Sequence, residues 1–507
     1  MFDQLFAKTQ EFTKLAQALG TPGACALFGI PGAGRAMVYA ALARHTGAPL
    51  CIVTPGEAEA TRFAGDLNVL GIPAAVFPAR DYLLRPIEGT GREYEYRRLS
   101  VLGDLVGGRL RAVCVPQEAL TQYTTPRADF CANTRTLHAG DTLPREELTA
   151  LLYGAGYTRR AQVDGPGQFS VRGDIVDIYA PDMKQPVRME FWGDEIDTLH
   201  TFDLATQRRD ESISKIYVSP AREVLLGAPP AAAELLRTFL KKQRGKKRTA
   251  LEGCLAPELN QLDAGVMPVN MDKYLAVRYP EPATVLDYLD KPLLIFEEPA
   301  SVKEAQRAAD FRRGEELAAL LQDGVLAAGL GDLFANAAWL WAQTGRYPTI
   351  CAENFVRSMP DIPLKIVVNA PAHTLPAWGG EVAALLEDLN PLCSGGAAVT
   401  VMAGTARAAA GLANDLRTHG LQVTTDAAAA PAVGLVQVLP GQLSAGCSLP
   451  FARYAVITAR AFGVSSVQKK KKRSKDALNS LSEISEGDLV VHQNHGIGRY
   501  AGIQRMT

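Results

Sequence analysis

The stretch ACALFGIPGAGRAMVYAALARH, residues 24–45, decides the fold of the first domain. Its apolar start is typical of a buried strand, its glycine-rich centre of a tight turn, and its alanine-rich end of a helix. A phosphate-binding loop occupies this position between strand and helix and has the pattern G-x-x-x-x-G-K-[ST]. Here Gly29 and Gly34 keep the spacing, but Arg35 and Ala36 replace the lysine and the hydroxyl residue. The stretch predicts the shape of a nucleotide site with altered chemistry.

Both halves of this nucleotide site are degenerate. Arginine keeps a charge but not the compact ammonium of lysine, and Ala36 has no oxygen to bind magnesium. The carboxylate pair expected on a later strand is best matched by Glu297 and Glu298, which follow LLIF and precede a proline. We predict no catalytic residue and no cofactor in this chain, with weak anion binding at the helix start left open. The residues that retain the site's outline are Gly29, Gly32, Gly34, Arg35, Ala36, Glu297 and Glu298.

Short apolar runs alternate with helical stretches around the loop, as in APLCIVTP, PAAVFPA and RAVCVPQEAL. Such alternation predicts a parallel sheet, and 507 residues predict several domains. From residue 156 to residue 223, apolar and polar residues alternate between turn signals, which predicts an inserted, strand-rich domain. A third strand–helix–strand unit follows at residues 364–458. The predicted fold class is therefore α/β multidomain, with a P-loop-like parallel-sheet domain, an inserted strand-rich α+β domain, a small third α/β domain and the start of a small β barrel.

Net charge, cysteines and histidines narrow the function classes. The net charge is −1, but residues 241–248 and 469–473 are basic blocks that suit either nucleic acid phosphates or a solvated face and a linker. No signal peptide or membrane span is found in the sequence, so we expect a cytoplasmic protein without membrane contact. Eight scattered cysteines predict no zinc and no disulfides, and His492 and His495 lack further metal ligands nearby.

Two motifs carry a specific resemblance. GQFSVRGDIVDIYAP, residues 167–181, and the segment from PVRMEFWGDEIDTLHTFD to SPARE, residues 186–223, resemble the inserted domain of UvrB, an excinuclease component of nucleotide excision repair. YAVITARAFG, the lysine run and GDLVVHQNHGIGRYAGI, residues 487–503, resemble the entry to the RNA-polymerase-interacting domain of bacterial transcription-repair coupling factors. The order of both motifs in one chain resembles the N-terminal region of that family.

This resemblance implies both a domain plan and a role. Members release RNA polymerase stalled at DNA lesions with an ATP-driven translocase and recruit UvrA for nucleotide excision repair. No helicase motif occurs here, so the implied ATP, magnesium and double-stranded DNA belong to a missing motor region, and the chain is expected to be truncated. The implied domains are 1–127 and 223–350 as the two halves of a UvrB-like domain, 128–222 as the inserted UvrA-interaction domain, 351–462 as a small α/β domain, 463–483 as a basic linker, and 484–507 as the start of the CarD-like polymerase-interacting domain.

Position by position, the resemblance assigns UvrA binding to Arg172, Arg188, Phe191 and Trp192. Arginine and tryptophan often dominate the binding energy of interfaces. Alternatively, the two arginines pair locally with Asp174, Glu190 or Asp194 on neighbouring strands. Side chains alternate along a strand, so one of the two aromatics must face the core, and Trp192 is expected to be the exposed one.

The C-terminal stretch HGIGRY predicts a tight hairpin or bulge at Gly496 and Gly498, with Arg499 and Tyr500 placed after it. The resemblance implies that this is the start of the module that binds the RNA polymerase β subunit, with its site incomplete here. Two other hypotheses stay open: a UvrB-type NTPase acting in damage recognition, and a basic DNA-binding module. A UvrB-like damage-probing hairpin is not expected, because residues 81–100 are too few to form it.

Overall fold

The computed structural model of the chain describes residues 2–85, 91–459, 489–492 and 496–499, with side chains described up to residue 459. The chain forms two compact units, Met1–Arg460 and Ala461–Thr507. None of the helices in these described ranges is long and apolar enough to cross a membrane.

The strands are short, and most carry the apolar or alternating runs seen in the sequence. In chain order they are β1 Gly23–Phe28, β2 Leu50–Thr54, β3 Ala74–Val76, β4 Ala112–Pro116, β5 Arg135–His138, β6 Thr158–Arg159, β7 Gln168–Arg172, β8 Ile175–Tyr179, β9 Val187–Trp192, β10 Glu195–Phe202, β11 Arg209–Ser212, β12 Lys215–Val218, β13 Leu293–Glu297, β14 Pro348–Glu353, β15 Leu364–Asn369, β16 His373–Leu375, β17 Ala398–Met402, β18 Gln422–Thr424, β19 Leu435–Leu439, β20 Gly446–Leu449, β21 Tyr454–Thr458, β22 Leu489–His492 and β23 Gly496–Arg499.

The α-helices connect these strands and cover their sheets. In chain order they are α1 Asp3–Phe6, α2 Gln10–Ala18, α3 Gly32–Thr46, α4 Glu57–Val69, α5 Glu93–Val106, α6 Gln117–Thr121, α7 Arg127–Ala132, α8 Arg145–Gly154, α9 Pro229–Lys241, α10 Gly245–Asp263, α11 Leu275–Arg278, α12 Pro299–Gln322, α13 Ala337–Arg346, α14 Val382–Ser394 and α15 Ala406–Thr418. Short 3₁₀ turns lie at Met271–Tyr274, Val285–Tyr288 and Pro450–Ala452.

A seven-stranded parallel sheet forms the centre of the first unit, with the strand order β15-β1-β14-β13-β2-β4-β3. Strands β2, β4 and β13 are buried along their whole length, as expected for a parallel sheet covered by helices on both faces. The predicted parallel sheet is confirmed. Strand β13 lies at its centre, so residues from both sides of the inserted domain build one sheet.

The structure does not place the start of the third domain at residue 351, as predicted. That boundary falls inside β14, and both β14 and β15 pair with β1 in the first sheet. The third sheet, of order β16-β20-β21-β17-β19-β18, begins only at His373. Apolar runs such as TICA and KIVV fit any buried strand equally well, and only pairing with the distant β1 decides which sheet they join.

The inserted domain is strand-rich, as predicted. Its six-stranded sheet has the order β11-β10-β9-β8-β7-β6 and is antiparallel except for the β6–β7 pair. Apolar side chains from one face, including Phe169, Val176 and Met189, pack with Leu148 and Leu152 of α8. The other face of the sheet carries mainly polar side chains, and Arg172, Arg188 and Trp192 lie on it.

The third sheet packs against the first domain through α3 and α4. A side chain at Gly34 would meet Ile30 Cγ2 at 2.7 Å and Leu449 Cδ2 at 3.2 Å, so only glycine allows this close approach. The Asp66 carboxylate accepts hydrogen bonds from Ser444, from its backbone N at 2.7 Å and from its Oγ at 2.6 Å. The two sheets therefore belong to one packed body.

Candidate functional site

The loop between β1 and α3 has the predicted strand–turn–helix form. Gly29 has a φ of +89°, which favours glycine, and α3 begins at Gly32 after an extended Pro31. The Gly32 Cα faces the Arg62 guanidinium so closely that an added Cβ would lie 3.1 Å from Arg62 Nη2. Ala36 is fully buried in α3. The outline of a phosphate-binding loop is therefore present, with another side chain of the protein packed over its helix start.

Arg35 occupies the lysine position and is buried, with 2% of its surface exposed. Its Nε donates to the Ile30 carbonyl at 2.8 Å. Its Nη2 donates to Glu298 Oε1 at 2.5 Å and to Asn354 Oδ1 at 2.8 Å, and its Nη1 donates to Glu297. The guanidinium thus has partners on every nitrogen, and both acidic residues of the predicted pair are among them.

Glu297 joins this cluster to α3 a second time, because the Tyr39 hydroxyl donates to its other oxygen. Burial opposes the charge on Arg35, yet Glu297, Tyr39 and Glu298 together raise the pKa of its guanidinium. Burial and the neighbouring Glu297 carboxylate raise the pKa of Tyr39, which keeps its hydroxyl protonated as a donor. The two degenerate halves of the nucleotide site are therefore bonded to each other.

Two hairpin tips lie side by side on the inserted domain. The first, between β7 and β8, turns at Gly173 and Asp174; the second, between β9 and β10, turns at Gly193 and Asp194. Each glycine has a positive φ, +60° and +65°. The Asp174 carbonyl accepts from the Phe191 backbone N at 2.9 Å, which ties the first tip to β9, just before the second tip.

Arg172 and Arg188 lie on the polar face of this sheet and share one partner, Asp177. Arg188 bonds both carboxylate oxygens of Asp177, and Arg172 Nη2 lies 2.5 Å from Oδ2. The Asp177 side chain is fully buried, whereas the Arg172 side chain is 44% exposed and that of Arg188 only 11%. The Arg188 guanidinium also stacks on the Phe202 ring at 4.6 Å. Arg172 is accessible to a partner, while Arg188 mainly holds the sheet together.

Local pairing of the two arginines therefore occurs, but not with the expected carboxylates. Asp174 pairs with Arg145, and Glu190 pairs with Arg209. The sequence did not identify Asp177 as the shared partner. Alternation in DIVDIY predicts only that Asp177 and Ile175 lie on the same face of β8. That Asp177 lies opposite Arg188 depends on the register between β8 and β9.

Phe191 and Trp192 point to opposite faces, as strand alternation requires. Phe191 is 6% exposed and belongs to the core of the inserted domain, whereas Trp192 is 82% exposed. The expected exposure of Trp192 is confirmed. Of the four predicted interaction residues, Arg172 and Trp192 are thus open to solvent, and Phe191 is a core residue.

The second unit contains a two-stranded antiparallel pair, in which Leu489 pairs with Arg499 and Val490 with Gly498. Gly496 and Gly498, where a tight hairpin or bulge is predicted, both lie within β23, and the residues between β22 and β23 lie outside the described ranges. Tyr500 and His495, together with the lysine run 469–473, lie outside the described residues. Within the described ranges, no three His, Cys, Asp or Glu side chains are grouped to hold a metal ion.

Comparisons with known proteins agree with both motifs. The family model for the UvrB interaction domain matches residues 136–224, and that for the CarD-like/TRCF RID domain matches residues 484–507. The chain is 27% identical, over 95% of its length, to the transcription-repair-coupling factor of Bacillus subtilis (strain 168). It is 23% identical, over 85% of its length, to that of Staphylococcus haemolyticus (strain JCSC1435). The predicted resemblance is confirmed; the chain spans 42% and 38% of these two relatives' lengths.

Proposed function

We propose that this chain is the UvrA-recruiting adaptor region of a transcription-repair coupling factor. The observation that carries the proposal is the exposure of Trp192 and Arg172, which end β9 and β7 at two hairpin tips of the domain that matches the UvrB interaction domain. Tryptophan and arginine are the residue types that most often anchor interfaces. The release of stalled RNA polymerase, which requires ATP, magnesium and double-stranded DNA, is assigned to the part of the relatives that this chain does not cover.

The polar face is suited to recognition because it is held in place before any partner binds. The Asp177 carboxylate accepts a hydrogen bond from Arg172 and restrains its side chain, and Arg188 in turn holds Asp177 in position with two hydrogen bonds. An arginine restrained in this way loses less conformational freedom on binding than a free side chain does. A partner surface with a hydrophobic recess for Trp192 and a carboxylate for Arg172 would complement the two tips.

Retention of UvrA by the immobilised chain tests this proposal. Trp192→Ala is expected to weaken binding at least tenfold, since truncating an interface anchor commonly costs about 2 kcal/mol or more. Phe355→Ala is the matched control. Phe355 is an aromatic side chain that is 81% exposed, and it follows β14 of the parallel sheet, outside the inserted domain. Equal retention by wild type and Trp192→Ala would contradict the proposal.

The UvrB-type NTPase alternative fits the loop geometry poorly. A nucleotide site needs a free cation for the terminal phosphates and a hydroxyl for magnesium. Arg35 is already bonded to Glu297, Glu298 and Asn354, and Ala36 is buried in α3. The residues present do not fit ATP, so we assign no nucleotide chemistry to this loop.

A DNA-binding contribution is a second candidate, favoured by one observation. Residues 241–248 contain six exposed cations at the α9–α10 junction, and the first turn of α10 contains no acidic residue. Backbone phosphates bound there would release counterions, so affinity would fall steeply with salt. Measured affinity for duplex DNA that does not change with salt would argue against this contribution.

The β subunit of RNA polymerase remains a proposed partner of the second unit. The proposal is supported by the match of residues 484–507 to the CarD-like/TRCF RID domain and by the antiparallel β22–β23 pair. The test is whether this chain retains the isolated polymerase β subunit, measured beside a longer chain that includes the following residues. Retention only by the longer chain would mean that the site is incomplete here.

A further inference from the structure

A cavity of about 450 Å³ lies where the inserted domain meets the helical segment that follows it. Its walls come from the start of α5, the β6 segment, the segment that follows β12 and the loop after α10. This cavity is separate from the hairpin tips and from the Arg35 cluster. It is large enough for a small organic ligand.

Arginines dominate the charge of this cavity. Four guanidiniums line it, those of Arg92, Arg159, Arg160 and Arg222. Of the carboxylates in the described ranges, Glu95 and Asp272 line it as well. The cavity therefore carries an excess of positive charge. The size of that excess depends on whether the two carboxylates are already paired with arginines outside the cavity.

Both carboxylates are already engaged by the protein. Glu95 accepts from Arg92 Nη1 at 2.8 Å and from the Glu223 backbone N at 3.0 Å. Asp272 accepts from Arg80 Nη1 at 2.7 Å and Nη2 at 3.2 Å, and from the Leu83 backbone N at 2.7 Å. Asp272 is thus neutralised by Arg80, which does not line the cavity. Among the described residues, Glu95 is then the carboxylate left to balance the four lining arginines.

Arg222 shows the imbalance most directly. Its Nη1 is buried and makes no hydrogen bond to any residue in the described ranges, and Glu95 Oε2 lies 3.9 Å away. Buried donors in folded proteins are almost always paired, so an unpaired guanidinium nitrogen at a cavity wall indicates a missing acceptor. The absence of a side chain at Gly156 leaves room for Arg222, because an added Cβ there would lie 2.6 Å from Arg222 Cγ.

Arg159 and Arg160 complete the basic wall from the edge of the inserted sheet. Both are exposed, and neither side chain has an ion pair with any residue in the described ranges. Three free or incompletely paired guanidiniums facing one space suit a phosphate, whose oxygens accept pairs of parallel N–H bonds from arginine.

Another part of the lining is apolar and partly open to solvent. Val266, Met267 and Val269 of the loop after α10 are 55%, 38% and 43% exposed. The Arg92 guanidinium holds this loop by donating to the Val269 carbonyl at 2.9 Å. Apolar side chains facing arginines across a small space suit a ligand with an anionic head and a flat or apolar body.

From this arrangement we infer that the cavity binds a nucleotide unit, with its phosphate on Arg159, Arg160 and Arg222 and its base or sugar against the loop 266–269. The unit comes either from a free mononucleotide or from single-stranded DNA. This site is independent of UvrA binding, so the failure of either proposal leaves the other standing.

Calorimetric titrations with three probes test the inference: inorganic phosphate, thymidine monophosphate and a 5′-phosphorylated thymidine tetranucleotide. Wild type is compared with Arg159→Gln/Arg160→Gln and with the control Arg127→Gln/Arg208→Gln, which removes the same charge from exposed arginines outside the cavity. We expect the cavity variant to bind the nucleotide probe at least tenfold more weakly, with the control unchanged.

The probes also separate the two sources. Binding of thymidine monophosphate as tightly as the tetranucleotide supports a free nucleotide, and much tighter binding of the tetranucleotide supports single-stranded DNA. No binding by the wild type at millimolar concentrations, equal loss in both variants, or binding of phosphate as tight as that of either nucleotide probe would overturn the inference. Arg222→Gln, tested in parallel, is expected to weaken binding as well.

Discussion

Arg188 bonds both oxygens of the buried Asp177 carboxylate, from Nε to Oδ1 at 2.7 Å and from Nη2 to Oδ2 at 2.9 Å. These hydrogen bonds raise the pKa of the Arg188 guanidinium, so Arg188 stays charged across the physiological range. The pair links β8 to β9, and Asp177 also bonds the exposed Arg172. Arg188, which the sequence resemblance assigns to UvrA binding, therefore stabilises the sheet of the inserted domain.

Arg188→Ala is expected to destabilise the inserted domain. Breaking a buried ion pair costs about 3 to 5 kcal/mol because one charge stays buried without a partner. Arg172 still bonds Asp177 in this variant, so we expect about 2 to 3 kcal/mol, measured by urea unfolding. Arg208→Ala, at an exposed position on the same domain, is the control and should change stability by less than about 0.5 kcal/mol. Unchanged stability of Arg188→Ala would mean that Asp177 finds other partners.

The two neighbouring aromatics should respond in opposite ways. Phe191→Ala removes a core ring and is expected to cost about 3 to 5 kcal/mol of stability. Trp192→Ala removes a side chain that is 82% exposed and should stay within about 0.5 kcal/mol of wild type. Thermal unfolding of both variants checks this. A large loss of stability in Trp192→Ala would show that the Trp192 ring packs on the hairpin tip. A loss of UvrA binding in this variant could then not be assigned to the contact alone.

Replacing the altered loop residues should not restore a nucleotide site. In Arg35→Lys/Ala36→Ser the residue types of a working loop return, but one ammonium cannot satisfy Glu297, Glu298, Asn354 and the Ile30 carbonyl together. We expect lower stability by about 2 kcal/mol or more and no ATP binding in an equilibrium titration. ATP binding by this variant, absent in wild type, would show that the loop needs only those two side chains.

Some of this arrangement could be predicted from sequence and some could not. Strand alternation settled which of Phe191 and Trp192 is exposed, because a period of two is a local property. The loop at Arg35 and the acidic residues at Glu297 were each recognised as altered, but their bond joins positions 262 residues apart. Such a contact depends on strand order, which local patterns do not encode.

The same limit explains the other differences. The partner Asp177 depends on the register of β8 against β9, and the membership of β14 depends on its pairing with β1. The cavity lined by Arg159 and Arg222 joins segments from opposite ends of the inserted domain. Patterns within a segment predict elements and faces, whereas these features arise where segments meet.

Gly156→Ala is expected to destabilise the chain through two separate effects. Gly156 has a φ of +85°, and an added Cβ would meet Arg222 Cγ at 2.6 Å and Cβ at 2.9 Å. Gly140→Ala is the matched control, because Gly140 has a φ of +91° and nothing within 4 Å of an added Cβ. Backbone strain of about 1 to 2 kcal/mol applies to both, so the excess in Gly156→Ala measures the contact with Arg222. Equal losses in urea unfolding would mean that Arg222 moves aside freely.

The contact between the first and third sheets should depend on pH through Asp66. Burial raises the pKa of Asp66 above 3.8, although Ser444 and Arg62 act to lower it. The folded chain therefore holds this proton more tightly than the unfolded chain, so the contribution of Asp66 is largest below pH 3.8 and is lost as pH rises through the raised value.

Asp66→Asn removes this titration, so the stability of wild type relative to Asp66→Asn should increase as pH is lowered from 7 towards 3.8, measured by urea unfolding at each pH. Ser444→Ala removes the Oγ donor, which stabilises the charged carboxylate, so in that variant the pKa of Asp66 should rise further and the change should begin at higher pH. A difference between wild type and Asp66→Asn that stays constant with pH would mean that Asp66 keeps the same charge in the folded and unfolded chain. The hydrogen bonds to Ser444 would then fully offset the cost of burying the charge.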